Sequence, residues 1–257
     1  MLYPIPQPRP RAPGIWIPGR DRCPQPLGYP TQKKPRQSFA IASVGTPTSG
    51  VFGTSINKIA AVVDGNIMLV YQVVYDNTVT LSPPGDWTTV DTRSIAGGTA
   101  TKAALHYKIA SGEGASYTFG NSGGAYTDLM MVAYSGVDTT TPIDAASTFA
   151  TGTSGTPSMT GPSPVSANTY LVIGLSGYSN DAGAISGMTT RIGPIDTVNY
   201  MYDQAIAATG AVGTRTATNT SDGWIMIAVS LRPTGAAPAT SLLLPNRNRL
   251  SPALLAQ

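Results

Sequence analysis

The sequence predicts an all-β fold: a β-sandwich, jelly-roll-like, with an internal pseudo-duplication and with extended arms at both ends. Three observations predict it. Strand-length segments rich in Val, Ile, Thr and Tyr, bounded by Gly, Pro, Asn, Asp or Ser, recur along the chain. Helix signals are nearly missing, because apolar positions do not recur at three- and four-residue spacing and Gly and Thr interrupt every candidate. The stretch from Gly65 to Val137 is also written a second time, in shorter form, between Ala167 and Pro233. At 257 residues, the chain is long enough for one sizeable core with material left over.

Residues 1–37 differ in kind from the rest. Prolines at 4, 6, 8, 10, 13, 18, 24, 26, 30 and 35 remove amide donors and fix φ, which forbids a helix or a central strand. The segment reads as a polyproline-like arm. Arg9, Arg11, Arg20, Arg22, Lys33, Lys34 and Arg36 face the single acid Asp21, a formal balance of 7 − 1 = +6. With Arg247 and Arg249 adding +2 at the other end, the total of +3 leaves 3 − 6 − 2 = −5 for residues 38–245. A basic arm on an acidic body looks for an anionic surface. Tyr3, Trp16 and Tyr29 are its apolar anchors, so with the basic residues they form the expected partner-binding set. Ten prolines favour a protein groove over nucleic acid.

Residues 38–233 form the predicted sandwich. Phe39–Val44 and Ile59–Val63 are expected as lead-in strands. Ile67–Val74, Leu129–Tyr134, Tyr170–Leu175 and Trp224–Val229 are apolar on both faces, which places them centrally in their sheets. Their second faces are covered either by loops of the same chain or by another subunit. The duplication pairs Gly65–Asn77 with Ala167–Asn180, Gly85–Arg93 with Gly187–Gly193, Lys102–Thr118 with Met201–Ala217, and Gly123–Val137 with Ser221–Leu231. Asp138–Ala167, rich in Thr, Ser, Gly and Pro, is read as a linker crossing between sheets, and Gly112-Glu-Gly114 as a hairpin signal. Residues 234–257 form a second extended tail whose Leu242, Leu243, Leu244, Leu250 and Leu254 make an apolar hook for a neighbour.

Charged residues make up 11% of the chain, against roughly 25% in an ordinary globular domain. That balance suits a displayed β protein better than a cytosolic enzyme. No apolar run approaches the ~20 residues of a membrane span, and Met1-Leu-Tyr-Pro4 shows neither the charged nor the apolar region of a secretory signal, so synthesis in a cytoplasm is expected. Cys23 is the only cysteine, which excludes an intrachain disulfide.

Reactive centres are few. Gly120-Asn-Ser-Gly-Gly124 resembles the nucleophile loop of trypsin-like proteases, but the single histidine, His106, stands only sixteen residues before Ser122 and reads as a half-buried strand residue. Asp138, Asp144 and Asp181 sit in turn-like loops without the spacing of a known calcium loop. No His/Cys cluster suggests zinc. Neither a catalytic residue, a metal nor a cofactor is expected.

Pro83-Pro-Gly-Asp-Trp-Thr-Thr-Val90, Ala103–Ala110, Ala133-Tyr-Ser-Gly-Val-Asp138 with Thr141-Pro-Ile-Asp144, and Trp224–Pro233 resemble a β-sandwich domain of tailed-bacteriophage virion proteins and some bacterial surface proteins. The resemblance covers about residues 60–233, departing from the usual pattern at Asp86 and Ser230. It implies a non-enzymatic module displayed on a head, tail or fibre. The expectation is a head decoration protein fixed by its arms to the major capsid protein or other virion proteins, in a homo-oligomer such as a trimer. The alternative is a tail or fibre adhesin that binds host glycans through Trp87, Tyr126 and Tyr178.

Overall fold

The computed structural model describes residues 40–97, 100–153, 155–177, 183–196, 198–218 and 223–236. It is all-β and antiparallel, with no helix among these residues. The first half of the chain contains β1 (Ala42–Ser43), β2 (Thr48–Gly50), β3 (Ser55–Asn57), β4 (Ile67–Val74), β5 (Leu81–Ser82), β6 (Thr88–Ile95), β7 (Thr101–Ile109), β8 (Ser116–Thr118), β9 (Gly120–Asn121) and β10 (Thr127–Ser135). The second half contains β11 (Ile143–Gly152), β12 (Ser158–Thr160), β13 (Thr169–Ser176), β14 (Thr189–Ile195), β15 (Asn199–Ile206), β16 (Thr214–Thr216) and β17 (Trp224–Leu231).

Two sheets form the sandwich. The first runs β1-β10-β4-β7-β6, with β2 also on β10, and the second runs β11-β17-β13-β15-β14. Each sheet comes from one contiguous half of the chain, so strands are not dealt alternately to two sheets as in a jelly roll. The order β17-β13-β15-β14 runs parallel to β10-β4-β7-β6, strand for strand, and the small pairs β3-β8 and β12-β16 occupy matching places in the chain. The sheets stack so that β6 lies against β11 and β14 against β2.

Between the sheets, Ile67, Leu69, Tyr71, Leu105, Met130, Val132 and Tyr134 interdigitate with Val172, Met201, Ile225, Ile227, Val229 and Leu231. Alternation in a strand sends the neighbouring residues to the opposite face. There Met68, Val70, Leu129 and Met131 are covered by Ile56, Ile59, Val62, Trp87, Tyr117 and Phe119. On the far side of the second sheet, Leu171, Ile173, Leu175 and Met226 lie under Met159, Ile185 and Ala217. The chain therefore covers both outer faces itself, and this is why four central strands are apolar throughout.

Three expectations need correction. Asp138–Ala167 is not merely a linker: it carries β11, a ten-residue strand paired along β17. β11 is an edge strand that buries few side chains deeply, so Thr, Ser and Ala suffice and no apolar pattern marks it. Ile59–Val63 is a turn in which the Val62 amide donates to the Ile59 carbonyl at 3.0 Å, with both side chains buried in the outer core. Gly112-Glu-Gly114 does turn the chain, but not into a hairpin, since β7 pairs with β4 and β6 while β8 pairs with β3.

Candidate functional site

The two ends of the sandwich differ in construction. At one end the chain of residues 40–236 both begins and finishes. Gly136, directly after β10, adopts φ +74°, and a Cβ there would lie 2.5 Å from the Ala40 carbonyl oxygen, so only glycine lets the incoming chain lie so close. The Thr234 amide donates to the Gly136 carbonyl at 2.8 Å. Around this point the two halves are clasped together. Val137 bridges Pro233, the Asp138 amide donates to the Arg232 carbonyl (2.9 Å), and the Arg232 amide donates to the Pro142 carbonyl (2.8 Å). Asp144, with its side chain fully buried, accepts from the Val165 amide (2.6 Å), the Ser166 amide (3.1 Å) and Arg232 Nε (3.2 Å). Arg232 Nη1 also donates to Thr141 Oγ1 at 3.2 Å. The Ser-Gly-Val-Asp, Pro-Ile-Asp and Leu-Arg-Pro motifs thus converge on one structural clasp.

The opposite end carries exposed aromatics. Tyr126, just before β10, is 69% exposed, and Phe52, just after β2, is 55% exposed. Pairing of Leu129 with Gly50 brings them together, rings edge to face with centroids 5.6 Å apart. Phe52 has φ +55°, an uncommon conformation for a side chain of this size. Two bonds hold it there: the Phe52 amide donates to Asp128 Oδ1 (3.2 Å) and the Gly53 amide to the Thr127 carbonyl (3.0 Å). Asp128 is in turn anchored in the interior, its Oδ2 accepting from Tyr75 Oη (3.2 Å) and Asn199 Nδ2 (2.8 Å). Burial raises its pKa above the usual carboxylate range, partly offset by the Phe52 amide. Burial likewise raises that of Tyr75, with the Asp128 charge adding to it. Nine residues of β10 separate this end from the clasp, a span of about 30 Å.

The sequence-predicted residues fall out as follows. Tyr126 is exposed as expected. Trp87 is not: it is buried, edge to face with Tyr117 (5.1 Å) and Phe119 (5.0 Å), because the Pro-Pro-Gly-Asp turn folds inward and delivers the indole to the outer core. Tyr178 and Asp181 lie outside the described residues, as do the arm set Tyr3, Arg9, Arg11, Trp16, Arg20, Arg22, Tyr29, Lys33, Lys34 and Arg36 and the tail set Leu242, Leu243, Leu244, Leu250 and Leu254. Phe52 went unread, since a lone aromatic in a Gly/Thr/Ser turn carries no periodic signal.

The protease-like loop does not assemble a nucleophile and base. His106 is buried, bonded through Nδ1 to Thr89 Oγ1 (3.0 Å) and through Nε2 to Gln72 Oε1 (3.2 Å), and burial pushes its pKa down to about 4. Ser122 Oγ instead accepts from the Thr80 amide at 2.9 Å, a turn contact. Asp138 Oδ1 caps its own turn by accepting from the Thr140 and Thr141 amides. No group of three or more His, Cys, Asp or Glu among the described residues converges as for a metal, and no helix among them is long and apolar enough to cross a membrane. No protein-family model, no curated protein and no solved structure matches this chain.

Proposed function

We propose that this chain is a non-enzymatic structural protein of a tailed-phage virion, a head decoration or accessory protein whose sandwich is displayed while residues 1–37 and 234–257 fasten it to the major capsid protein or a neighbouring virion protein. The observation that carries this reading is the convergence at Gly136. Ala40 and Thr234 both lie against that residue, so the first and last described residues of the sandwich stand at the same end. A body held at one end presents its other end outward. Because its own loops cover both outer faces, the sandwich needs no neighbour to keep its cores dry. The +6 balance of residues 1–37 supplies attraction to an acidic surface, and two extended segments give a large contact at the entropic cost of ordering them on assembly.

The experiment is truncation. A chain lacking residues 1–37 folds, giving the same β-type circular dichroism and cooperative melt, yet fails to join particles in an assembly reaction. Normal incorporation of that truncation ends the reading. A second reading, a tail or fibre module that binds host glycans, is favoured by one observation: the exposed Phe52–Tyr126 pair.

A further inference from the structure

We propose that Phe52 and Tyr126 form a binding site for a neutral pyranose, deepening the glycan-binding reading and naming its ligand class. Exposure alone does not make a site, but here three further observations converge.

The first is that the rings are placed at a cost. A phenylalanine with φ +55° persists only where surrounding structure over-determines it, and such residues gather at ligand clamps. The surrounding structure is a relay from the interior. Asn199 and Tyr75 hold one oxygen of the buried Asp128, and its other oxygen holds the Phe52 amide. Asp128 is therefore a positioning residue whose outward effect is the attitude of one exposed ring.

The second is shape and size. Two rings inclined at 77° make a floor and a wall, against which the C–H face and edge of a six-membered sugar ring fit. With Val51 beside them, the exposed apolar area is on the order of 300 Å². A stable protein partner needs about 800 Å² a side, so the patch suits a small ligand and not a second copy of the chain.

The third is charge. Ser49–Ile56 and Asn121–Thr127 contain no ionisable side chain other than the Tyr126 phenol, and the exposed residues Thr54 and Ser55 follow Phe52 closely in the chain. Two carboxylates stand close, Asp128 beneath the Phe52 amide and Asp76 next to Gly123, and both disfavour acidic sugars.

The test is saturation-transfer NMR on the full chain with methyl β-glucoside, methyl β-galactoside, N-acetylglucosamine and N-acetylneuraminic acid, each at about 10 mM so that millimolar affinity registers. The expected result is transfer to the ring protons of at least one neutral sugar. That transfer falls at least about tenfold in Phe52→Gly and in Tyr126→Ser, and is unchanged in Val63→Ser, an exposed apolar control. Phe52→Gly keeps the backbone conformation without its strain, so loss of binding in this variant is not loss of fold. Transfer to none of the neutral sugars, transfer as strong as wild type in either ring variant, or preference for N-acetylneuraminic acid overturns the proposal. So does concentration-dependent self-association that Tyr126→Ser abolishes. Particle incorporation of the Phe52 and Tyr126 variants is measured separately, so failure here leaves the anchoring reading standing.

Discussion

Replacing Asp144 by alanine unfastens the clasp that joins the two halves of the chain. The wild-type carboxylate accepts two backbone amides and one guanidinium nitrogen while its side chain is fully buried. Truncation leaves the Val165 and Ser166 amides without an acceptor, at roughly 1 kcal/mol or more each. It also strips Arg232 of its buried partner, a change that costs about 3–5 kcal/mol when both charges are sealed from water. Because the Arg232 side chain keeps 14% exposure, water recovers part of that loss. The expected sum is about 4 kcal/mol, a large share of the roughly 5–15 kcal/mol that holds a domain together. Asp144→Asn keeps one acceptor oxygen but turns an NH₂ toward other donors, and it should lose about half as much. Asp138→Ala, which removes only an exposed turn contact, should lose no more than about 1 kcal/mol. The assay is urea unfolding of the full chain, reading the midpoint at constant slope. An Asp144→Ala midpoint within about 1 kcal/mol of wild type would refute the clasp as a source of stability.

His106 makes acid stability measurable. Its folded pKa is depressed to about 4 from 6.5, so between these values the unfolded chain binds a proton that the folded chain refuses. Stability is therefore full above about pH 6.5 and falls as pH drops toward 4, by about 2 kcal/mol between pH 7 and 5; denaturant titrations of wild type and His106→Gln should diverge over that window. At Gly174 an added Cβ would lie 2.5–2.7 Å from three ring atoms of the buried Tyr71, so Gly174→Ala should cost about 3 kcal/mol. That appears as a drop of roughly 6–12 °C in Tm, with partial recovery in the double variant Gly174→Ala/Tyr71→Leu. Tyr71→Phe alone, losing the 3.2 Å bonds to Ser176 Oγ and the Ile225 carbonyl, should cost about 1–2 kcal/mol by the same melt.

The central strands were legible because burial on both faces demands apolar residues at every position. Ile67–Val74 runs as the sequence predicts, and β10, β13 and β17 extend the other predicted segments by a residue or two. The edges were not legible. β11 needs only small, β-tolerant side chains, and these read the same way in a linker. Ile59 and Val62 look like strand residues for the opposite reason: a turn plugging an outer core requires apolar side chains as much as a strand does. The same confusion affected the aromatics. Trp87 and Tyr126 both follow a Gly-containing turn, yet one turn folds over the sheet and the other stands clear of it, a tertiary choice that local composition does not encode. The clasp was visible only as a resemblance, since pairing Asp144 with Arg232 across 88 residues needs the fold first.

Because Ala40 and Thr234 both lie against Gly136, the backbone of the sandwich taken alone, residues 40–236, is nearly circular. A few residues joining Ala236 to Ala40 would close it, and the protein could then be opened anew at the Ser122–Ala125 turn without breaking a strand of either main sheet. In that permuted molecule, any peptide fused to the new termini would ride at the aromatic tip instead of at the root.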